Sequence, residues 1–360
     1  MLREREDDTR GEELSLASPP TPSCQPATAA FRRGGKVSAS SDSAPARLRL
    51  RTLLALPLAA LVALAVHVFI SKQEPSADAF PFTLLLGAIL GLSIAATFAQ
   101  RWSQRLRHWI AAMFPILAAA IALLMFWEVI TSGLRLLPLP YFPSPAGVLQ
   151  SLINDRALLF DSTWHSLILL LSGYAMGVAA GFVSGVCIGW STPIRYWGMP
   201  VLKIIGPIPA TAWIPLAMVV SPSAVLSAAG LIALAVWFPV TMLTASGISN
   251  TRASYLDVAR TLGARRGYLI FRVAIPAALP SIFIGLFMGL GASFLTLVVA
   301  ETVGVKSGLG WYVSWAQGWA EYGKVYAALV IMAAFFSTIM TLLFKVRDRV
   351  LVWQKGVIKW

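Results

Sequence analysis

The sequence predicts an all-α integral membrane protein. The chain has 360 residues, of which 57% are hydrophobic and 12% are charged, and its mean hydropathy is +0.72. Soluble domains carry about 25% charged residues, whereas a membrane-spanning helix needs about 20 consecutive apolar residues. Several runs of that length occur, separated by basic segments. The net charge of +13 is therefore interpreted as a set of topology signals and not as a nucleic-acid surface.

The N-terminal region divides into a polar tail and an apolar hairpin. Residues 1–46 are rich in Pro, Ser, Ala and charge, so we expect a disordered cytoplasmic tail. Residues 47–108 hold two apolar runs, Leu53–Ile70 and Phe80–Ala99, with arginines before the first and after the second. Because cytoplasmic loops accumulate lysine and arginine, both ends of this hairpin are predicted to be cytoplasmic.

Six further spans follow the hairpin, at 109–132, 163–190, 197–220, 223–247, 276–299 and 325–345. The chain would then have eight membrane helices and both termini in the cytoplasm, including a tail at 351–360. Three prolines interrupt 197–220, namely Pro207, Pro209 and Pro215. They indicate either a cavity wall or a kinked helix. Between the third and fourth spans, Ser144 and Pro145 predict the cap and first turn of a short helix on the outer face.

A charged segment, DVARTLGARRGYLIFRVAIP, lies between two long apolar runs. Ser254 and Asp257 have the spacing of a capping box, and Asp257 is expected in the first helical turn. One apolar face recurs at helical spacing: Tyr255, Val258, Ala259 and Leu262. Gly263 can end this helix with a positive φ, and a second short helix is expected at 264–273, before Pro276. The segment is thus predicted to form a compact helix–turn–helix.

This segment resembles the coupling motif of ABC importer permeases, written EAA, three residues, Gly, nine residues, Ile, any residue, Leu-Pro. The match runs through Asp257-Val258-Ala259, Gly263, Val273 and Ile275-Pro276, with the spacing kept. Asp, Val, Val and Ile stand where the family has Glu, Ala, Ile and Leu. The run LPLPYFPSPAGVL and the runs at 205–218 and 300–311 resemble the nitrate, sulfonate, taurine and bicarbonate branch of that superfamily.

The resemblance covers residues 109–358 and implies a six-helix type I permease core at 109–350, with a coupling loop at 250–275. The additional hairpin at 47–108 precedes this core and lies outside the resemblance. The chain would form the translocation path for a small anion in a bacterial inner (plasma) membrane. It would carry no catalytic site, metal or cofactor, since ATP hydrolysis belongs to a separate subunit and the chain has no Walker A motif.

The implied partners are cytoplasmic ABC ATPase subunits, a second permease subunit forming a homodimer, and a periplasmic or lipid-anchored solute-binding protein. The residues expected to couple to the ATPase are Asp257, Val258, Ala259, Arg260, Leu262, Gly263, Arg265 and Pro276. Three arginines, Arg260, Arg265 and Arg266, have two interpretations. They pair with acids on the ATPase, or they contact lipid headgroups and set topology.

Candidates for the translocation path are Thr211, Trp213, Ser293, Thr296 and Glu301. Ordinary helix packing through small and hydroxylated residues is the favoured alternative for most of them. Glu301 orients an outer gate or contacts the solute-binding protein, or else it caps the following turn. Glu128 is an intramembrane carboxylate and hence a functional candidate, or else an interfacial residue beside Trp127.

Four glycines spaced four residues apart mark one face of the fourth span: Gly173, Gly177, Gly181 and Gly185. Such a stripe lets another helix approach closely. It indicates either the seam of a dimer or, as the favoured interpretation, packing within the chain.

Two other functional classes fit the sequence less well. A membrane-embedded enzyme needs a nucleophile, a base or a metal cluster, and the sequence has no HExxH motif, no GxSxG motif and no paired aspartates. An ion-gradient-driven secondary transporter is the alternative function. It should show intramembrane acids and an inverted repeat, whereas few such acids and no convincing repeat occur.

Overall fold

The computed structural model describes residues 50–70, 80–100, 103–138 and 140–353, and this part of the chain is helical and without strands. The predicted tail at 1–46 and most of the tail at 351–360 lie outside the described residues. The helices are α1 (Leu50–Ile70), α2 (Phe80–Ala99), α3 (Gln104–Glu128), α4 (Pro145–Asn154), α5 (Arg156–Trp190), α6 (Thr192–Ile205), α7 (Ile214–Val220), α8 (Ala224–Ser249), α9 (Ala253–Thr261), α10 (Arg266–Tyr268), α11 (Ile275–Val303), α12 (Leu309–Gly318) and α13 (Tyr322–Val350).

Seven helical stretches in the described residues are long and apolar enough to cross a membrane. They carry large apolar side chains on their outer surfaces, for example Leu84, Leu123 and Leu295, which are 63%, 68% and 66% exposed. In water such surfaces would be unfavourable, whereas lipid tails cover them without cost. The fold is therefore that of an all-α integral membrane protein.

The hairpin α1–α2 packs on α3 through small residues and aromatic rings. Ala60 and Ala63 are buried and let the helices approach closely, and Phe82 and Phe114 fill the remaining space. Near the C-terminal end of α1, Nδ1 of the buried His67 contacts the carboxylate of Glu128, the last residue of α3. Since both residues lie near the C-terminal ends of their helices, α1 and α3 run parallel.

The glycine stripe of α5 packs against α8 within the same chain. A Cβ on Gly177 would lie 2.5 Å from the carbonyl oxygen of Ala233, and a Cβ on Gly185 would lie 2.6 Å from the Cβ of Thr244. The favoured interpretation, intrachain packing, is therefore confirmed for this stripe. Successive glycines along α5 meet successively later residues of α8, so the two helices run parallel.

Because α5 and α8 are parallel, the chain must cross back from the end of α5 to the start of α8. The segment α6–α7 makes this crossing. The two halves, Thr192–Ile205 and Ala210–Val220, meet at a bend of 84°. The predicted single span at 197–220 is thus a broken helix that starts five residues earlier. Pro207 and Pro209 cause the break because neither has an N–H for an intrahelical hydrogen bond.

Helix α11 runs antiparallel to α8, with Gly289 beside Val236 and Gly247 beside Ala278. The bundle consequently has two ends. One, here called the α4 end, carries α4, α12 and the start of α13. The other, here called the α9 end, carries α9 and the last turn of α13. The cap predicted for α4 is confirmed, since the Ser144 hydroxyl accepts a 3.2 Å hydrogen bond from the Gly147 N–H.

Candidate coupling site and central cavity

Helix α9 projects from the end of the bundle and has no buried residue. The predicted apolar face is exposed: Tyr255, Val258 and Leu262 are 54%, 61% and 83% accessible. The predicted capping box is wrong, because the helix begins at Ala253 and Ser254 already lies inside its first turn. Asp257 consequently falls in the second turn, where it accepts a 3.0 Å hydrogen bond from Arg260 Nη1.

The turn after α9 has the geometry that the sequence predicts. Gly263 has a φ of +83°. Its N–H donates to the Arg260 carbonyl at 2.9 Å, and the Ala264 N–H donates to the Ala259 carbonyl at 3.0 Å. These two bonds form a Schellman motif, in which glycine takes the left-handed position at little steric cost.

The second half of the loop differs from the prediction of a separate helix at 264–273. Helical structure starts at Arg266 and continues without a stop through a π-helical turn, Leu269–Ala274, into α11. Pro276 therefore lies inside a continuous helix. The wide turn just before it accommodates the ring and the missing N–H that would break a regular α-helix.

A groove of about 940 Å³ lies between α9 and the start of this long helix. Five of the eight predicted coupling residues line it: Val258, Ala259, Leu262, Gly263 and Arg265. Two further residues of this lining, Tyr268 and Arg272, are not among the predicted coupling residues. The sequence carries a signal for both, since they follow the Gly263 turn and lie four residues apart, on one face of a helix. Asp257, Arg260 and Pro276 are not part of the groove.

The loop at 250–275 carries an excess of positive charge. Between residues 252 and 272 there are five arginines and one acid, Asp257. Arg260 pairs with that acid, and the Arg252 guanidinium lies 6.0 Å from the centre of the Tyr255 ring. In the part of the chain that the structure describes, Arg265, Arg266 and Arg272 form no ion pair.

A cavity of about 310 Å³ lies at the break between α6 and α7, against α8 and α11. Thr211 and Thr296 line it, and Phe238, Met288 and Leu295 form much of its apolar wall. The other candidates for the translocation path, Trp213, Ser293 and Glu301, are outside this lining. Ser293 is fully buried and donates to the Leu290 carbonyl of its own helix at 2.7 Å, as ordinary packing requires.

Glu301 is buried at the α4 end, where it organises the start of α12. Its carboxylate accepts hydrogen bonds of 2.7 Å from the Ser166 hydroxyl and 2.8 Å from the Gly310 N–H. Ser166 Oγ in turn accepts a 2.8 Å bond from the Leu309 N–H. Two N–H groups that lack intrahelical partners are thereby satisfied, so Glu301 caps the following helix, as the capping interpretation expects.

The chain is similar in sequence to proteins of one transport family. Residues 173–351 match the family described as "Binding-protein-dependent transport system inner membrane component". A probable ABC transporter permease of Haemophilus influenzae is 31% identical over 61% of this chain and 89% of its own length. A putative aliphatic sulfonates transport permease of Bacillus subtilis is 31% identical over 59% of this chain and 77% of its length.

Two further proteins are similar to this chain. A taurine transport system permease of Escherichia coli is 28% identical over 59% of this chain and 80% of its length. A solved chain of an amino acid ABC transporter with histidines matches at 17% identity and a TM-score of 0.46, covering 55% of this chain and 95% of that one.

The family assignment excludes the alternative of an ion-gradient-driven secondary transporter, and it makes ATPase and solute-binding subunits the partners of this chain. The protein is a multi-pass inner-membrane protein. It belongs to the binding-protein-dependent transport system inner membrane components, and it is the permease subunit of an ABC importer.

Proposed function

We propose that this permease takes up a small anion and that its ATPase grips the segment 254–276. The observation that carries this proposal is the exposed apolar tip of α9 beside Arg265, Arg266 and Arg272, which form no ion pair among the described residues. Val258 and Leu262 are more than half exposed, at the end of the bundle where the basic residues concentrate. Burying such a side chain in a protein groove stabilises a complex by about 1–2 kcal/mol.

The predicted coupling residues take different roles at this tip. Val258, Ala259 and Leu262 form the apolar contact, and Gly263 sets the turn that presents it. Asp257 and Arg260 brace the exposed face of α9 through their hydrogen bond. Because this pair is solvent-exposed on both sides, its contribution to stability is small, up to about 0.5 kcal/mol.

Arg265 lies in the groove lining and carries a charge without a partner in the described residues. The proposed ATPase surface therefore combines an apolar pocket with nearby carboxylates. Lipid headgroups are the competing partner for Arg265 and Arg266, and charge reversal separates the two. A lipid contact predicts loss of membrane insertion, whereas an ATPase contact predicts loss of the complex alone.

The continuous helix from Arg266 to Val303 links the two sites. It starts beside the groove, passes Pro276, lines the cavity with Met288, Leu295 and Thr296, and ends near Glu301. A rigid helix transmits a displacement along its length, so movement of the loop shifts the cavity wall. ATP binding in the partner subunit would in this way change the side to which the cavity opens.

The proposed solute is an anion of the nitrate, sulfonate, taurine or bicarbonate type. The support is the similarity to permeases named for aliphatic sulfonates and for taurine, together with the hydroxyl side chain of Thr211 in the cavity lining; the Thr296 hydroxyl already donates to the Ala292 carbonyl of its own helix. Hydroxyl groups donate hydrogen bonds to anions without the charge that would retain them.

The proposed assembly has two copies of this permease, two cytoplasmic ATPase subunits, and a periplasmic or lipid-anchored solute-binding protein. The α9 end would face the cytoplasm, because the arginines of the loop and of the last turn of α13 lie there. Both termini would share that side, since the chain crosses the membrane an even number of times.

The test compares Leu262→Asp with Val352→Asp, a change at another apolar residue that is more than half exposed, just after α13. Tagged chains are purified from their own cells, co-purifying ATPase is identified by mass spectrometry, and uptake of labelled taurine, ethanesulfonate, nitrate and bicarbonate is measured. Leu262→Asp should lose the ATPase and uptake while still inserting, and Val352→Asp should keep both. Wild-type uptake and ATPase yield in Leu262→Asp would refute the coupling role.

A further inference from the structure

The hairpin α1–α2 supports the helix α4 from one side. Ala146 of α4 belongs to the same apolar cluster as Ala60, Phe82 and Phe114. On its other side α4 meets α13, where a Cβ on Gly323 would lie 2.9 Å from the Ser151 hydroxyl. Helix α4 therefore packs against α13 of the six-helix core on one side and, on the other, against the hairpin that precedes this core.

The contact between hairpin and core includes a buried polar pair. The His67 and Glu128 side chains are 2% and 4% exposed and contact each other through Nδ1 and Oε1. The His67 ring also meets the Phe82 ring edge-on, with centroids 4.9 Å apart. Removing one member of such a pair leaves the other polar group buried without its partner, which is strongly destabilising.

The chain just beyond Glu128 is shaped to receive the hairpin. The π-helical turn Val129–Gly133 follows directly, and Thr131 donates a 2.8 Å hydrogen bond to the Trp127 carbonyl. A Cβ on Gly133 would lie 3.0 Å from the Ile70 side chain at the end of α1. The last turn of α1 thus fixes the exit of α3, from which the chain proceeds to α4.

We propose that His67 and Glu128 are positioning residues that hold α4 in place through the hairpin, so that the α4 end presents a fixed surface to the solute-binding protein. The orientation of that surface rests on the proposed function. The bracing itself depends only on packing within this chain. The hairpin accordingly supports α4 from within the chain, and the His67–Glu128 pair attaches the hairpin to α3.

The experiment measures hydrogen exchange in the full chain in lipid nanodiscs. The variants are His67→Ala, Glu128→Ala, the double variant, and the exchanged pair His67→Glu with Glu128→His. Phe69→Ala is the matched control, because Phe69 lies on α1 but is 86% exposed. The reporters are the amides of residues 147–154 in α4, and the amides of residues 254–263 serve as the distant reference.

We expect about tenfold faster exchange in α4 for each single variant, no change in the reference, and no further increase in the double variant. The exchanged pair should recover most of the protection, and Phe69→Ala should match the wild type. Wild-type exchange in α4 would overturn the proposal, as would an equal increase at both ends, since that result indicates general destabilisation.

If the alanine variants do not accumulate, His67→Gln is measured, with a two- to threefold increase in α4 expected and equality with the wild type overturning the proposal. A transport assay gives the functional consequence. The concentration of solute-binding protein at half-maximal uptake should rise about fivefold, with the maximal rate unchanged. If the wild-type chain shows no ATP-driven uptake, the proposed function fails while the exchange result still decides the bracing.

Discussion

The Ser166 hydroxyl donates a 2.7 Å hydrogen bond to the Glu301 carboxylate across 135 positions of sequence. The same hydroxyl accepts a bond from the Leu309 N–H, and Glu301 also accepts one from the Gly310 N–H. The α4 ends of α5, α11 and α12 are thereby joined at one buried point. Because α11 begins at the end of the loop at 250–275, this point fixes the other end of the helix that connects the two ends of the permease.

Glu301→Ala should loosen this anchor more than Glu301→Gln. Alanine removes the acceptor for both Ser166 and Gly310, and each buried donor left without a partner costs about 1–3 kcal/mol. Glutamine keeps a carbonyl oxygen for one of them. The measurement is thermal unfolding in nanodiscs, with Ser166→Ala as the second member of a double-mutant cycle. Additive losses of stability for Ser166→Ala and Glu301→Ala would contradict a shared hydrogen-bond network.

Gly308→Ala should disrupt the same point from the backbone side. Gly308 has a φ of +102°, and its Cβ would lie 2.2 Å from Glu301 Oε1. The φ strain alone costs about 1–3 kcal/mol, and the carboxylate must also move. Gly318→Ala at the other end of α12 is the control, because nothing lies within 4 Å of its Cβ position. Unfolding temperatures should fall for Gly308→Ala only; equal unfolding temperatures would argue against this contact.

The close approach of α5 to α8 predicts a similar contrast. Gly177→Ala would place a Cβ 2.5 Å from the Ala233 carbonyl oxygen, whereas Gly230→Ala on α8 meets nothing within 4 Å. Overpacking of this kind costs about 1–3 kcal/mol. Gly177→Ala should therefore reduce the yield of folded permease and its unfolding temperature, and Gly230→Ala should not. A Gly177→Ala protein as stable as the wild type would show that these helices can separate freely.

Features that depend on neighbouring residues could be predicted from the sequence, whereas contacts between residues far apart in sequence could not. Local rules predicted Gly263 at positive φ and Ser144 as a helix cap, because each depends on neighbours within a few residues. The pair His67–Glu128 spans 61 positions, and no local pattern could have placed the two side chains together.

Two predictions were wrong for a related reason. Helix α9 begins at Ala253, before the predicted cap Ser254, since helix boundaries depend on packing as well as on local propensity. The continuous helix through Pro276 depends on a π-helical turn, which has no reliable sequence signal. Thr211 and Thr296 both line the cavity, whereas Ser293, on the same helix as Thr296, does not.

The turn at Gly263 allows a test of coupling that leaves the membrane fold intact. Nothing lies within 4 Å of the Cβ position of Gly263, so its requirement is the φ of +83° alone. Asparagine tolerates this conformation, whereas a β-branched residue is a steric outlier there. Gly263→Val should abolish ATPase co-purification and uptake, and Gly263→Asn should retain most of both. Both variants should insert normally. Equal uptake by the two variants would show that the turn geometry is not needed for coupling.

The contact between Tyr312 and Asp155 predicts a pH dependence of stability. The buried Tyr312 hydroxyl donates a 2.7 Å hydrogen bond to Asp155 Oδ2. Burial, and then this bond, raise the pKa of Tyr312 above its ordinary value of 10.0. A raised pKa in the folded state means that folding favours the protonated phenol, so the stabilisation is complete below pH 10 and is lost as the pH rises further. Thermal unfolding between pH 8 and pH 11.5 should show a decline above about pH 10 that is smaller in Tyr312→Phe. Identical pH profiles for the two proteins would mean that another group accounts for the decline.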